Sequence, residues 1–201
     1  MSEYNPNGGG QKPRRLLAIL GSPHQNGSTA AMLDCAVKAA AAAGWEVKRL
    51  WLYEKNIGFC NGCRACVARG NCVQRDDLQE IANLLRSCDV VALAAPAYWA
   101  NVPAPVKNLF DRLLGVAMEE NGRLPKPRLS KDQRYLLLTA CNTPFPFSRL
   151  FGQSAGALRA MNEFFHYSGM RPLGRVTFDG AGGSAVLPER VKRKIRGYWE
   201  K

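Results

Sequence analysis

No stretch of this 201-residue chain is long and apolar enough to span a membrane. Every hydrophobic run is broken by Pro, Gly or a charge within about a dozen residues, and a span needs about 20. The opening residues, MSEYNPNGGGQKPRR, contain no hydrophobic signal region. Both absences point to a cytoplasmic protein with no membrane partner. Acidic residues are also scarce: 16 Asp and Glu face 28 Lys and Arg, a net charge of +12. Such a chain attracts phosphates, anionic cofactors and acidic surfaces. No RNA-stacking signature and no zinc-finger spacing accompany the charge. It therefore reads as a solvated basic surface, and nucleic acid is not an expected partner.

Apolar residues make up 46 % of the chain and charged ones 22 %, ordinary values for a globular protein. Residues 1–13 are rich in Gly, Asn and Pro and are expected to be a disordered tail. Residues 14–201 are expected to form one domain, with a cysteine loop inserted at 53–75. In a reducing compartment the seven cysteines are thiols or metal ligands, not disulfides.

Along the chain, apolar runs alternate with helical patterns. Strands are expected at 16–20, 45–52, 89–95, 135–141 and 173–178. Helices are expected at 27–43, from Asp76 to about 88, from Pro103, at 153–168 and from Pro188. The second strand alternates apolar and charged residues, as an edge strand does. The third, DVVALAA, is continuously apolar after Asp89, as a strand covered on both faces is. Strand–helix alternation implies a parallel sheet with helices on both sides. Five strands suit an α/β three-layer sandwich of flavodoxin-like order 2-1-3-4-5. Its ligand sits beyond the carboxyl ends of the strands. Residues 180–184 read as a flexible connector.

Three loops then meet at one end. The first contains Ser22, His24, Asn26, Gly27, Ser28 and Thr29 and runs into a helix start. Unpaired amides and the helix dipole favour a phosphate there, although an ordinary capped turn has the same look. The loop is neither a Walker loop nor a dinucleotide fingerprint. The second offers Pro96, Ala97, Tyr98, Trp99 and Asn101 to a flat ring system, with rim or core packing as the alternative for its aromatics. The third offers Ala140, Cys141 and Asn142; Cys141 reads either as a cofactor contact or as a buried thiol. Together the loops describe a site for flavin mononucleotide (FMN).

Cys60, Cys63, Cys66 and Cys72 lie in CNGCRACVARGNC, with gaps of two, two and five residues. Such compact spacing lets thiolates converge on one iron–sulfur centre. Zinc and free thiols remain alternatives. The neighbours Arg64, Arg69 and Arg75 are expected to offset the thiolate charge.

GSPHQNGST, CNGCRACVARGNC with its downstream Asp pair, and PAYWANVPAPVKNLFDR resemble the iron–sulfur flavoprotein branch of the NADPH-dependent FMN reductase family. The resemblance covers residues 15–180, with His24 standing where many members carry Arg. It implies bound FMN and a 4Fe-4S cluster on Cys60, Cys63, Cys66 and Cys72. It also implies a homodimer or homotetramer with the flavin near the interface. The expected function is a redox flavoprotein passing electrons from NAD(P)H or reduced ferredoxin to a small acceptor such as a quinone or an oxygen species. A cluster-free NAD(P)H-dependent FMN or quinone reductase is the alternative. A carrier between protein partners is the second.

Overall fold

The computed structural model describes residues 13–120 and 124–200. The expected tail lies outside the described residues except for Pro13, as does part of the connection after residue 120. No described helix is long and apolar enough to cross a membrane.

Five strands form one parallel sheet: β1 (Arg15–Leu20), β2 (Glu46–Trp51), β3 (Val90–Ala94), β6 (Arg134–Cys141) and β7 (Arg171–Asp179). Their spatial order is β2-β1-β3-β6-β7, which is 2-1-3-4-5 counted within the sheet. β3 is buried throughout, whereas β2, at the sheet edge, shows mixed exposure. β4 (Met118–Glu119) and β5 (Lys126–Pro127) make a separate antiparallel pair.

Period-two alternation in the strands divides the interior into two cores. Leu17 and Ile19 of β1 face one side, Leu16, Ala18 and Leu20 the other. On the second side lie α1 (Ser28–Ala42) and α8 (Glu189–Arg196), which supply Met32, Leu33, Ala36, Val191 and Ile195. On the first lie α3 (Leu78–Ser87), α4 (Ala104–Arg112), α5 (Leu114–Ala117) and α7 (Gln153–Tyr167). Leu78, Ile81 and Leu85 form the buried stripe of α3, and Asp76 accepts from the Leu78 amide at 3.1 Å to close its start. Pro103 and Pro105 open α4 without cost, because first-turn amides have no helical partner. Two short helices escape the sequence pattern: α2 (Ala65–Arg69) inside the cysteine loop and α6 (Phe147–Leu150) in the aromatic loop. Each is too short for a helical period to show.

Candidate functional site

Parallel strands put all their carboxyl ends on one edge, so the loops after β1, β3 and β6 meet there. Gly21 donates to Ala94 O at 2.8 Å, tying the first loop to β3, and Ala97 donates to Ala140 O at 2.9 Å, tying the second to the third. Trp51 Nε1 donates to Ser22 O at 2.7 Å and fixes the first loop from the β2 side. A Cβ on Gly21 would lie 2.4 Å from the Val106 side chain, so only glycine allows this approach to α4.

A cleft of about 240 Å³ opens between these loops. Ser22, His24, Gly27, Ser28 and Thr29 line it from the first loop, Pro96 and Tyr98 from the second, and Ala140 and Asn142 from the third. The start of α1 faces it. That helix has no side-chain cap and no acidic residue in its first turn. The Ser22, Ser28 and Thr29 side chains are buried beside it. An uncapped, acid-free helix start lined with hydroxyls is a built anion site. An FMN phosphate fits these donors, and the cleft beyond them is bordered by Tyr98, Pro96 and Asn142 as a flat ring requires.

Five expected residues stand elsewhere. Asn26 faces a larger groove of about 790 Å³ between α1 and α8. Asn101 closes a turn: its amide and carbonyl pair with Tyr98 at 2.9 and 2.8 Å, and its Oδ1 accepts from Val102 N–H. Trp99 projects fully into solvent from a left-handed backbone, φ 52°, and Ala100 follows at φ 55°. Ala97 acts through its backbone link to Ala140. Cys141 is buried and turns to Asp179 Oδ1 at 3.2 Å and Thr143 O at 3.3 Å. Burial, with the Asp179 carboxylate beside it, pushes its thiol up to about 11. It does not line the cleft.

Sequence reasoning missed Ala181 and Gly183, which line the cleft from the loop after β7. That segment is tied down on three sides: Gly180 donates to Thr143 O, Ala181 to Cys141 O, and Ser28 Oγ to Ser184 O at 2.6 Å. Its glycine-rich composition at a strand's carboxyl end was the available signal.

The cysteine loop hangs beside α4 and α5. Cys60 and Cys63 are exposed, Cys66 and Cys72 half-buried, and all four are free thiols. Among the described residues no group of three or more Cys, His, Asp or Glu is gathered to hold a metal. Burial first, then the neighbouring Cys72 and Cys60 sulfurs, push the Cys66 thiol up. α2, which carries Cys66, starts after Arg64 in a left-handed conformation and ends at Gly70 in another. Arg128 holds this helix in place, donating to Val67 O at 3.0 Å and Gly115 O at 2.9 Å.

Among the described residues, no hydrogen bond joins Arg64, Arg69 or Arg75 to a sulfur. Arg64, Arg69 and Arg75 are exposed, and Arg64 pairs with Glu120 at 2.8 Å. The group that reaches a sulfur is Arg112, from α4, with Nε 3.2 Å from Cys72 Sγ. Its side chain is wholly buried and pairs with Asp76 at 2.8 Å. Burial alone would raise the Asp76 carboxyl, but the hydrogen bonds from Arg112 and from the Leu78 and Gly58 amides hold it below its ordinary value. A sequence pattern places Arg112 on the outer last turn of an amphipathic helix, so its burial left no local trace.

An iron-sulfur flavoprotein of Archaeoglobus fulgidus is 43% identical over 100 residues, 50% of this chain and 46% of that protein. An iron-sulfur flavoprotein of Methanocaldococcus jannaschii is 27% identical over 181 residues, 90% of this chain and 84% of that one. The chain spans about half the length of most curated relatives it matches. An NAD(P)H:quinone oxidoreductase structure from Methanothermobacter marburgensis superposes at a TM-score of 0.75 with 15% identity, covering 94% of this chain and 98% of its own, a likeness of fold. Residues 14–201 match the family model described as flavodoxin-like fold. With its 2-1-3-4-5 parallel sheet and a polar cleft at the strands' carboxyl ends, the chain belongs to the flavodoxin-like fold family.

Proposed function

We propose that this chain is an FMN-dependent oxidoreductase carrying a thiolate-ligated iron–sulfur centre. The observation that carries the reading is the uncapped start of α1, opening with buried Ser28 and Thr29 onto the cleft where three loops converge. In this reading the Ser22 and Thr29 hydroxyls and the first-turn amides, that of Ser28 among them, take the phosphate, with His24 at its side, while the Ser28 hydroxyl stays on Ser184 O. Pro96, Tyr98, Ala140 and Asn142 border the ring, while Ala97 and Asn101 hold the second loop in shape. Bound FMN supplies electron exchange in one- or two-electron steps, and the chain's task is to bind it, orient it and shield it.

Cys60, Cys63, Cys66 and Cys72 form the donor set for a 4Fe-4S cluster, whose single-electron chemistry suits a flavin partner. Four free thiols within thirteen residues fit such a group, and the names of the relatives agree with it. The donor is NAD(P)H or reduced ferredoxin, and the acceptor is a small oxidant such as a quinone. The protein assembles with itself over the cleft end, where Trp99, Phe145, Phe147, Leu150 and Phe151 are all exposed. Exposed aromatic and aliphatic side chains in this number suit an interface.

A cluster-free NAD(P)H-dependent reductase is the second reading, favoured by the cysteines' not being gathered among the described residues. Purification without oxygen, an absorption spectrum, and iron and sulfide analysis test both. Flavin with about four irons per chain supports the first reading. Flavin without iron, bleached rapidly by NADPH, supports the second. No flavin band and no uptake of added FMN overturn both.

A further inference from the structure

We infer that Arg112 is the positioning residue of the cysteine loop: it clamps both ends of the loop and sets the charge environment of the Cys72 sulfur. The inference rests on the proposal that Cys72 serves as a thiolate ligand. The geometry is unusual for an arginine. Its side chain has 0% exposure, although it comes from the end of a surface helix. Burying a guanidinium is costly unless its donors are met. Here they are met almost entirely by the cysteine loop.

Nη1 donates to Gly58 O at 2.5 Å, where the chain enters the loop, and to Asp76 Oδ2 at 2.8 Å, where it leaves. The Asp76 carboxylate also accepts from Gly58 N–H at 3.1 Å, so guanidinium, carboxylate and backbone close one ring across the loop's base. One turn earlier on α4, Asn108 donates to the carbonyls of Ile57 and Gly58 at 3.2 and 3.1 Å. Nη2 reaches Gln74 O at 3.5 Å, and Nε lies 3.2 Å from Cys72 Sγ.

That last contact distinguishes this arrangement from a simple loop staple. A neutral thiol is a weak acceptor, whereas a thiolate makes a charge-assisted bond. Asp76 already balances the guanidinium charge, so the N–H aimed at sulfur is available for a negative ligand. Hydrogen bonds to ligating sulfurs favour the more negative, reduced state of an iron–sulfur centre and raise its potential. Arg64, Arg69 and Arg75 are exposed and offer no such buried donor.

The test uses Arg112→Lys and Arg112→Gln in the protein purified without oxygen, with Cys72→Ala for a double-mutant cycle. Spectroelectrochemistry is expected to show the iron–sulfur potential displaced downward in R112Q and less so in R112K, with the flavin potential unmoved. Hydrogen exchange of iron-free protein is expected to be about tenfold faster at residues 58–76 in both variants, while β1, β3 and β6 are unchanged. If R112Q fails to fold, R112K carries both measurements. Unchanged loop exchange overturns the clamp, and an unmoved iron–sulfur potential overturns the role at sulfur. Should the wild type hold no iron at all, the cluster proposal fails by itself. The Arg112–Cys72 contact is then decided by thermal unfolding of R112K, C72A and the double variant: non-additive shifts support it, and additive shifts overturn it.

Discussion

Gly156→Ala tests how the ring-side turn is held. Gly156 lies in the first half of α7, and the loop after β3 passes against it. A Cβ there would stand 1.9 Å from Ala100 O and 2.8 Å from Ala100 C. Ordinary contact begins near 3.4 Å, so one backbone must retreat by about 1.5 Å, the gap between 1.9 and 3.4 Å. Neither retreats easily. Ala157, Met161 and Phe165 anchor α7 in the core, and the turn is closed by paired hydrogen bonds between Tyr98 and Asn101. Overpacking costs about 1–3 kcal/mol, and backbone against backbone belongs at the upper end. Alanine returns about 1 kcal/mol of helix propensity. The net loss is about 2 kcal/mol, or a melting temperature lower by about 4–8 °C for a domain of this size. Gly197→Ala is the control, because its nearest neighbour would be Arg193 O at 3.5 Å and its φ is −60°. That variant is expected to stay within about 2 °C of wild type. Differential scanning calorimetry measures both, and fluorescence titration with FMN reports the turn, with Kd expected to rise about tenfold in Gly156→Ala for each 1.4 kcal/mol lost at the ring side. A Gly156→Ala protein that melts like wild type and binds FMN equally well would show that the close approach does not constrain the site.

Thr139 is buried at 0% exposure with no partner for Oγ1, so Thr139→Val is expected to raise stability by about 1 kcal/mol, or about 2–4 °C in calorimetry. Asp76→Asn leaves Arg112 buried without its carboxylate, a loss of about 3–5 kcal/mol readable in urea unfolding. Because the Asp76 carboxyl titrates below its ordinary value in the fold, its contribution is complete above the unfolded value of about 3.9. The gap between wild type and this variant should therefore narrow as pH falls below about 4. Burial raises the Cys88 thiol to about 12, and burial with Asp179 raises Cys141 to about 11. Alkylation at pH 8 followed by mass spectrometry should label Cys60 and Cys63 first and leave Cys88 and Cys141 unmodified until unfolding. Early labelling of Cys141 would place it at the cleft after all.

What the residue pattern revealed and what it hid follow from the range of the interactions. Apolar runs ended by Gly21 and Pro96 mark strands and the loops beyond them, because burial and backbone freedom are local properties. Strand order followed from alternation and the count of five, and the observed β2-β1-β3-β6-β7 arrangement agrees. Lys107 and Asp111, four apart on α4, pair as their spacing implies. Long-range contacts left no such mark. Ser28 meets Ser184 across 156 residues, and Arg112 meets Cys72 across 40. The nearby arginines drew attention because they are close in sequence, yet a sulfur in a folded loop is served by whichever donor the tertiary structure delivers.

Helix α4 turns these two local sites into one mechanical unit. Its first residue, Ala104, follows directly on the turn that carries Tyr98 and Trp99, and its last, Arg112, holds the base of the cysteine loop. Nine helical residues span about 13 Å, a distance fixed by backbone hydrogen bonds and not by side-chain choice. Val106, Leu109 and Phe110 seat the helix in the core between its two ends. Val106 also meets Gly21, so the first loop rests on the same element. The cysteine loop, inserted after the edge strand, is tied to the same element at its base. Asn108 and Arg112 grip its base from α4, beside Arg128 at α2 and Gln79 at the carbonyls of Cys72 and Gln74, and α4 cannot move without disturbing both the core and the cleft. Loosening Arg112 should therefore release the cysteine loop alone, whereas loosening Val106 should disturb cleft and cysteine loop together.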